Sequence, residues 1–448
     1  MMGTVRRLPP AFVLALLVQG LIVAARLAFL ASGSTWWMTS ASWALTSQGV
    51  SFVTLSLLAA GAFDLARRTS SPAADAARIA GIVFTTAVGM SVAGILLHYF
   101  QMTRTGGAPP IEVLYDIESY AWSLLMIGGI AALVTAGDGW RRVPALAGVA
   151  MVGIVISRAP PFLGTPLYEA LYGALGRAGA SMVFSLSWLA ALGAMAALIA
   201  GTAKAEPAED GLACERGLRR TSSALWIRVI AAALFAAIAM VAMVGRRGGG
   251  AASVAKFLMV AGPALNAFAL GSFGFGAFTA ARSGVRDFSS YALYGAGALS
   301  LWAAGAMLTQ LPWLYQRFYR DDRGSFGGDH GSRMVETLTL GIPLVAGAGV
   351  VALTIAIAGF ARRRDLQDLR DQTSARAAAF VVLIIASLVI VQYGLPKARS
   401  EGMFLAMSFA GAGAGLCAIV MVAKLCSLAA DAVRQAPGLP TATLRPPD

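Results

Sequence analysis

The chain has 448 residues, of which 58% are hydrophobic and only 13% are charged. A water-soluble domain carries about 25% charged residues, so this composition leaves too few polar side chains to cover a soluble surface. The apolar residues also fall in runs of roughly 18 to 25, the length that an α-helix needs to cross about 30 Å of hydrocarbon. These totals exclude a soluble globular enzyme and predict an all-α integral membrane protein.

The chain is strongly basic, with a formal net charge of +13. In a membrane protein the basic residues collect in cytoplasmic loops and face anionic headgroups, so the predicted partner is the lipid bilayer and not nucleic acid. The three cysteines form no CxxC pair and have no metal-ligand spacing, and two histidines cannot supply bis-histidine ligation to two haems. We therefore expect no metal, no cofactor and no catalytic residue set.

Apolar runs bounded by Arg, Asp, Gly or Pro predict twelve membrane spans. They are about 11–31, 42–63, 78–100, 119–136, 143–157, 180–201, 223–244, 256–280, 289–312, 337–360, 376–393 and 403–427. The fifth run holds only about 14 apolar residues, so a re-entrant or tilted segment is an open alternative to a full crossing there.

An even number of spans places both termini on one side of the membrane. Of the 35 basic residues, 21 lie on the side of the termini and 12 on the opposite side. Because Lys and Arg concentrate in cytoplasmic loops, this ratio predicts cytoplasmic termini. We expect a multi-pass protein of the bacterial inner (plasma) membrane.

A long charged connection divides the predicted spans into two sets of six. The division gives an N-terminal half (1–201), a cytoplasmic linker (202–221), a C-terminal half (222–430) and a cytoplasmic tail (431–448). Because each half has an even number of spans, two homologous halves would be related by a pseudo-two-fold axis along the membrane normal.

A short internal repeat supports this division. The segment Gly61–Arg67 reads GAFDLAR and matches Gly276–Arg282, which reads GAFTAAR, at an offset of 215 residues. The same offset places Phe100-Gln101 on Tyr315-Gln316. We therefore predict an internal duplication.

In its helix count and division, this layout resembles the major facilitator type of secondary transporter. That family carries a cytoplasmic motif between its second and third helices, in which a Gly precedes a cluster of Asp, Arg and Gly. Here Gly61, Asp64, Arg67 and Arg68 occupy the corresponding loop with a different spacing, and Thr279 replaces the acid in the second half. The resemblance implies transport by alternating access.

Polar residues within the spans are the candidate cavity or substrate contacts, because an ionisable group in hydrocarbon is costly unless it faces a cavity or a partner. Arg26 could line a cavity or extend to the headgroups, and Arg228 is expected to extend to the cytoplasmic interface. Asn266 follows Gly262-Pro263, where an interrupted helix could expose a substrate contact; an interhelical hydrogen bond is the alternative. The candidate contacts are Arg26, Gln48, Asn266 and Gln310.

A second group of polar residues lies at the outer ends of the predicted spans. His98 titrates near neutral pH and lies beside aromatic residues, as either an interfacial side chain or a gate. The outer acids could pair with arginines of an aromatic stretch at 313–323. The candidate external gate comprises His98, Gln101, Asp116, Glu118, Gln316 and Arg317.

Three functions fit these patterns. We favour a secondary transporter that moves a small molecule or ion by alternating access between two six-helix halves. The first alternative is a non-catalytic integral subunit or assembly factor with membrane-protein partners. The second is a membrane enzyme acting on lipid-linked substrates, with external acids at Glu112, Asp116, Glu118, Asp321 and Asp322. Nothing in the sequence selects the solute.

Overall fold

The protein is described by a computed structural model. It covers residues 8–32, 41–69, 72–103, 110–137, 143–159, 164–200, 209–244, 250–315, 329–390, 394, 397 and 401–436. Within these ranges, every regular element longer than one turn is an α-helix.

The described ranges contain twelve helices. They are α1 (Pro10–Ala31), α2 (Ala41–Arg68), α3 (Ala73–Thr103), α4 (Pro110–Ala136), α5 (Pro144–Ser157), α6 (Gly164–Ala200), α7 (Gly211–Val244), α8 (Gly250–Arg282), α9 (Ser290–Tyr315), α10 (Asp329–Arg363), α11 (Gln367–Val389) and α12 (Glu401–Gln435).

Ten of these helices are long and apolar enough to cross a membrane. This confirms the predicted all-α membrane architecture. The described part of α7 is not among the ten, and α5 is a shorter apolar helix of 14 residues. Many large apolar side chains are exposed, as expected for surfaces in contact with lipid: Leu21 is 71% exposed, Val382 65% and Ile230 64%.

Several helices extend beyond the apolar runs that predicted them. The helix α7 begins at Gly211, within the predicted linker segment 202–221. Its first turn is capped by Asp210, whose Oδ1 accepts a hydrogen bond of 2.8 Å from the backbone N–H of Ala213. Hydropathy marks only the part of a helix that lies in hydrocarbon, so polar turns continuing into water are missed.

The chain forms two compact units, Met1–Pro207 and Ala208–Asp448. In the first unit each helix from α1 to α6 packs on the next along the chain, α6 packs back on α1, and α4 also contacts α6. In the second unit each helix from α7 to α12 packs on the next, α12 packs back on α7, and α10 contacts α12. The six helices therefore have the same neighbours in both units.

Glycines allow close approach at corresponding helix contacts. A Cβ atom on Gly81 of α3 would lie 2.9 Å from the ring of Phe63 on α2, and one on Gly297 of α9 would overlap the ring of Phe278 on α8. The phenylalanines differ by 215 positions and the glycines by 216.

A second pair of contacts joins the third helix of each unit to the fourth. A Cβ atom on Gly129 of α4 would lie 2.7 Å from the ring of Phe84 on α3, and one on Gly349 of α10 would lie 2.9 Å from Oγ of Ser300 on α9. Phe84 and Ser300 differ by 216 positions, the same difference as Gly81 and Gly297. Backbones thus meet closely at equivalent places in each unit.

Candidate functional site

The second unit contains a half-buried polar contact between α7 and α8. The Nε–H of Arg228 donates a hydrogen bond of 2.8 Å to Oδ1 of Asn266. Asn266 lies at the middle of α8 and Arg228 near the middle of α7. Arg228 thus contacts a neighbouring helix through its Nε group, and its extension to the cytoplasmic interface stays a prediction. Helix α8 continues through Pro263 without a break.

Arg228 is a charged group whose only described hydrogen-bond partner is neutral. Among the residues that the structure describes, no Asp or Glu lies within ion-pair distance of it, and its two Nη groups have no described acceptor. A charge in the interior of a membrane bundle is costly unless it is paired or faces a polar cavity. The Arg228–Asn266 pair is therefore a candidate binding element.

Arg26, in the first unit, is linked to α6. Its Nη1 group donates a hydrogen bond to Oγ of Ser185, and that hydroxyl donates to the backbone oxygen of Ser181 at 2.7 Å. Arg26 lies five residues before the last residue of α1, Ala31. As with Arg228, this hydrogen bond places a guanidinium against an uncharged side chain of a neighbouring helix.

A buried pair joins α1 and α2. The side-chain amide of Gln19 donates a hydrogen bond of 2.7 Å from Nε2 to Oγ1 of Thr54, and the two residues are 7% and 1% exposed. The predicted contact Gln48 also lies on α2, but its side chain is outside the described residues. Sequence reasoning did not select Gln19, although an amide near the middle of an apolar run is a signal for an interhelical bond.

Arg158 follows the last residue of α5 and was not predicted as a site residue. Its guanidinium carbon lies 4.4 Å from the ring centroid of Trp122 and 5.1 Å from that of Trp188. The indole N–H of Trp122 donates a hydrogen bond of 3.1 Å to Oγ of Ser91, which fixes that ring. The guanidinium thus lies within cation–π distance of two indole rings.

Glu118 is the one predicted gate residue whose side chain is described. It is half-buried on α4, and its Oε1 would lie 2.5 Å from a Cβ atom on Gly94 of α3. The carboxylate therefore packs against the α3 backbone.

The other predicted contacts cannot be located. The side chains of Gln48, His98, Gln101, Glu112, Asp116 and Gln310, and the whole of residues Gln316, Arg317, Asp321 and Asp322, lie outside the described part of the chain. Arg26 belongs to the first unit and Asn266 to the second. Among the described residues, no group of three His, Cys, Asp or Glu could hold a metal ion.

One end of the second unit is held by ion pairs. Arg219 contacts Glu215 and Asp431, each at 2.8 Å, and Arg286 lies 3.6 Å from Glu209. The hydrogen bond that Arg219 donates to Glu215 raises the pKa of Arg219, which stays charged. A further ion pair joins Arg364, which follows α10, to Asp287 on the connection between α8 and α9. These pairs are mostly exposed, so each contributes little to stability.

Three arginines within the two units contact uncharged groups: Arg26 contacts a hydroxyl, Arg228 an amide and Arg158 two indole rings. No family model matches the chain, and no curated protein or solved structure matches it. Function is therefore inferred from these contacts.

Proposed function

We propose that the chain is a secondary transporter of a small solute, with twelve membrane spans in two six-helix halves that work by alternating access. The observation that carries the proposal is the hydrogen bond between Arg228 and Asn266 at the middle of two adjacent helices. Ionisable and amide groups within membrane helices are costly in a purely structural bundle, whereas transporters place such groups at their substrate sites.

The corresponding contacts in the two units support an internal duplication. The pair Phe63 and Gly81 corresponds to Phe278 and Gly297. Buried residues of the third helix in the first unit also correspond to buried residues 216 positions later in the second unit. Its buried residues in the two units are Ala80 and Ala296, Phe84 and Ser300, and Ala87 and Ala303, all at most 1% exposed. Two copies with six helices each would have the same orientation in the membrane, related by an axis along its normal.

This register supports the repeat at Gly61–Arg67 but not the second sequence match. Between the second and third helices the second unit is one residue longer, which pairs Phe100 with Gln316 instead of Tyr315. The alignment of Phe100-Gln101 with Tyr315-Gln316 therefore does not support duplication.

The chemistry of the buried arginines favours an anionic solute. Arg228 uses Nε to bind Asn266, which leaves its two Nη groups for another acceptor. A guanidinium recognises carboxylate and phosphate through parallel N–H bonds and neutralises their charge. We infer a small carboxylate or phosphate compound as the solute class, in a protein of the bacterial inner membrane with both termini cytoplasmic.

Solute counterflow in vesicles tests the proposal. The purified chain is reconstituted into liposomes loaded with one unlabelled solute class, and uptake of a labelled member of that class is followed. Monocarboxylates, dicarboxylates, inorganic phosphate, amino acids, hexoses and monovalent cations form the panel. We expect counterflow for an anionic class, and its loss in Arg228→Met.

The matched control is Phe268→Leu, a change of a 61% exposed side chain two residues from Asn266 on α8. It should retain counterflow. Absence of counterflow for every class, with the chain isolated in a stoichiometric complex after mild detergent extraction, would favour the non-catalytic subunit instead.

A further inference from the structure

An open apolar groove runs along the surface of the first unit between α5 and α6. It is lined by successive turns of α5 from Gly148 to Ile156 and by Ser187 and Ala190 of α6. The helices approach closely at its floor, because a Cβ atom on Gly153 would lie 2.6 Å from the backbone oxygen of Ser187. Its apolar lining suits an acyl chain.

Helix α5 is too short to cross a bilayer upright. Its 14 residues span about 21 Å, against about 30 Å of hydrocarbon. A helix that starts at one interface and has this length ends roughly 9 Å below the opposite headgroups. Arg158 comes directly after α5. A charge at that level either draws a polar headgroup inward or leaves an uncompensated cation in hydrocarbon.

Arg158 also lacks a counterion in the described part of the chain. Its guanidinium lies over the rings of Trp122 and Trp188, and its buried Nε has no hydrogen-bond partner there. The nearest acid along α4, Glu118, packs on the backbone of Gly94 and makes no ion pair with Arg158. The N–H groups at the guanidinium edge are therefore suited to an external anion.

We propose that this groove binds one anionic phospholipid, with an acyl chain along α5 and the phosphate at Arg158. Two features match the two parts of the lipid: an apolar groove for the chain, and a cation without a described counterion two residues after Ile156, the last lining residue of α5. Basic pockets between membrane helices bind anionic headgroups by the same combination. The site lies within the first unit and does not depend on transport.

Native mass spectrometry of the full chain tests the lipid site. The detergent-solubilised protein is mixed with phosphatidylglycerol or phosphatidylcholine of the same acyl composition, and the bound fraction is measured. We expect phosphatidylglycerol to be retained preferentially. Arg158→Met should lower its apparent affinity by about fivefold or more, because a favourable charge contact is removed. Arg158→Lys, which keeps the charge, should lose less.

A second variant tests the groove without touching the charge. Gly148→Leu fills the channel, where a Cβ atom at this glycine meets nothing within 4 Å. It should reduce retention of both lipids. The matched control is Gly89→Leu on α3, another exposed glycine with nothing within 4 Å of its Cβ position. It should leave retention unchanged.

Three outcomes would overturn the proposal. Equal retention of phosphatidylglycerol by the native chain and by Gly148→Leu would show that the lipid does not bind in the groove. Displacement of the lipid by millimolar inorganic phosphate alone would indicate a free-anion site. Conversion of a dimer into a monomer by Gly148→Leu in lipid-free detergent would assign the groove to a second copy of the chain. If Arg158→Met fails to fold, the result with Gly148→Leu decides.

Discussion

Arg228 on α7 donates a hydrogen bond of 2.8 Å from Nε to Oδ1 of Asn266 on α8. The two residues hold each other in place within the second unit, because each satisfies a polar group that neighbouring apolar side chains cannot. The two Nη groups of the arginine remain as donors. The contact that orders the two helices therefore also offers a cation to a bound anion. This relationship leads to the first prediction.

Replacing Asn266 alone should destabilise the protein. Asn266→Leu leaves the Arg228 guanidinium without its hydrogen-bond acceptor, and an orphaned partner of this kind costs about 1 to 3 kcal/mol. Thermal unfolding in detergent would show the loss. The double variant Arg228→Met with Asn266→Leu should recover most of it, because an apolar pair needs no acceptor. Strictly additive losses would contradict this coupling.

A backbone break in α6 depends on one glycine. Gly176 has φ 67° and ψ 165°, whereas the helix continues on either side. Side chains with a Cβ atom rarely adopt this conformation, so Gly176→Ala should cost about 1 to 3 kcal/mol although space is available. Gly173→Ala, three residues earlier in the helical part of α6, should be neutral or stabilising. Equal effects of the two changes on the unfolding temperature would refute this assignment.

Glycines at corresponding helix contacts should respond alike to alanine. Gly297→Ala forces a Cβ atom into the Phe278 ring and to 2.9 Å from the backbone oxygen of Gly274, so it should cost about 1 to 3 kcal/mol. Gly295→Ala on the same helix meets nothing within 4 Å and should be tolerated.

The first unit offers the same comparison on α3. Gly81→Ala should be destabilising, but less so, because the half-exposed Phe63 ring can turn away. Gly89→Ala is its control. A loss of stability in one unit only would count against a duplicated packing design.

Stability should fall at alkaline pH because of Cys214. Burial raises the pKa of this thiol from its ordinary value of 9.0 to about 12; the Asp210 charge adds to this rise and a hydrogen bond with Ser283 opposes it. Above pH 9 the unfolded chain releases the proton while the folded chain retains it, so this contribution is complete below pH 9 and is lost toward pH 12. Unfolding temperatures between pH 7 and pH 10.5 should fall more steeply for the native chain than for Cys214→Ala. Parallel curves would mean that the thiol titrates normally.

Hydropathy was sufficient to predict the apolar parts of most helices, because hydrocarbon thickness fixes their minimum length. It did not show where the helix that carries Arg228 begins. The apolar run begins at 223, whereas α7 begins at Gly211, so Arg228 lies near the middle of the helix but near the start of its apolar part. The first turns of α7 are polar, so hydropathy did not mark the start of the helix, although Asp210 is a residue type that caps helix N-termini.

Sequence spacing could not predict which side chains pack against each arginine. Arg158 lies 36 positions from Trp122 and 30 from Trp188, and the contact exists because α4, α5 and α6 pack together. Periodicity within one helix carries no information on which neighbour it meets. For the same reason the partner of Arg26, Ser185, was not predicted.

The central claim is alternating access, and thiol labelling at position 266 tests it without knowledge of the solute. In a chain freed of its three cysteines, Asn266→Cys is exposed to a membrane-impermeant maleimide from each face of oriented vesicles. The control is Phe268→Cys at a 61% exposed position of α8. We expect this position to face lipid and therefore to remain unlabelled. The account predicts labelling of Asn266→Cys from both faces, because the site opens alternately to each side. Labelling from one face only, or from neither, would contradict it.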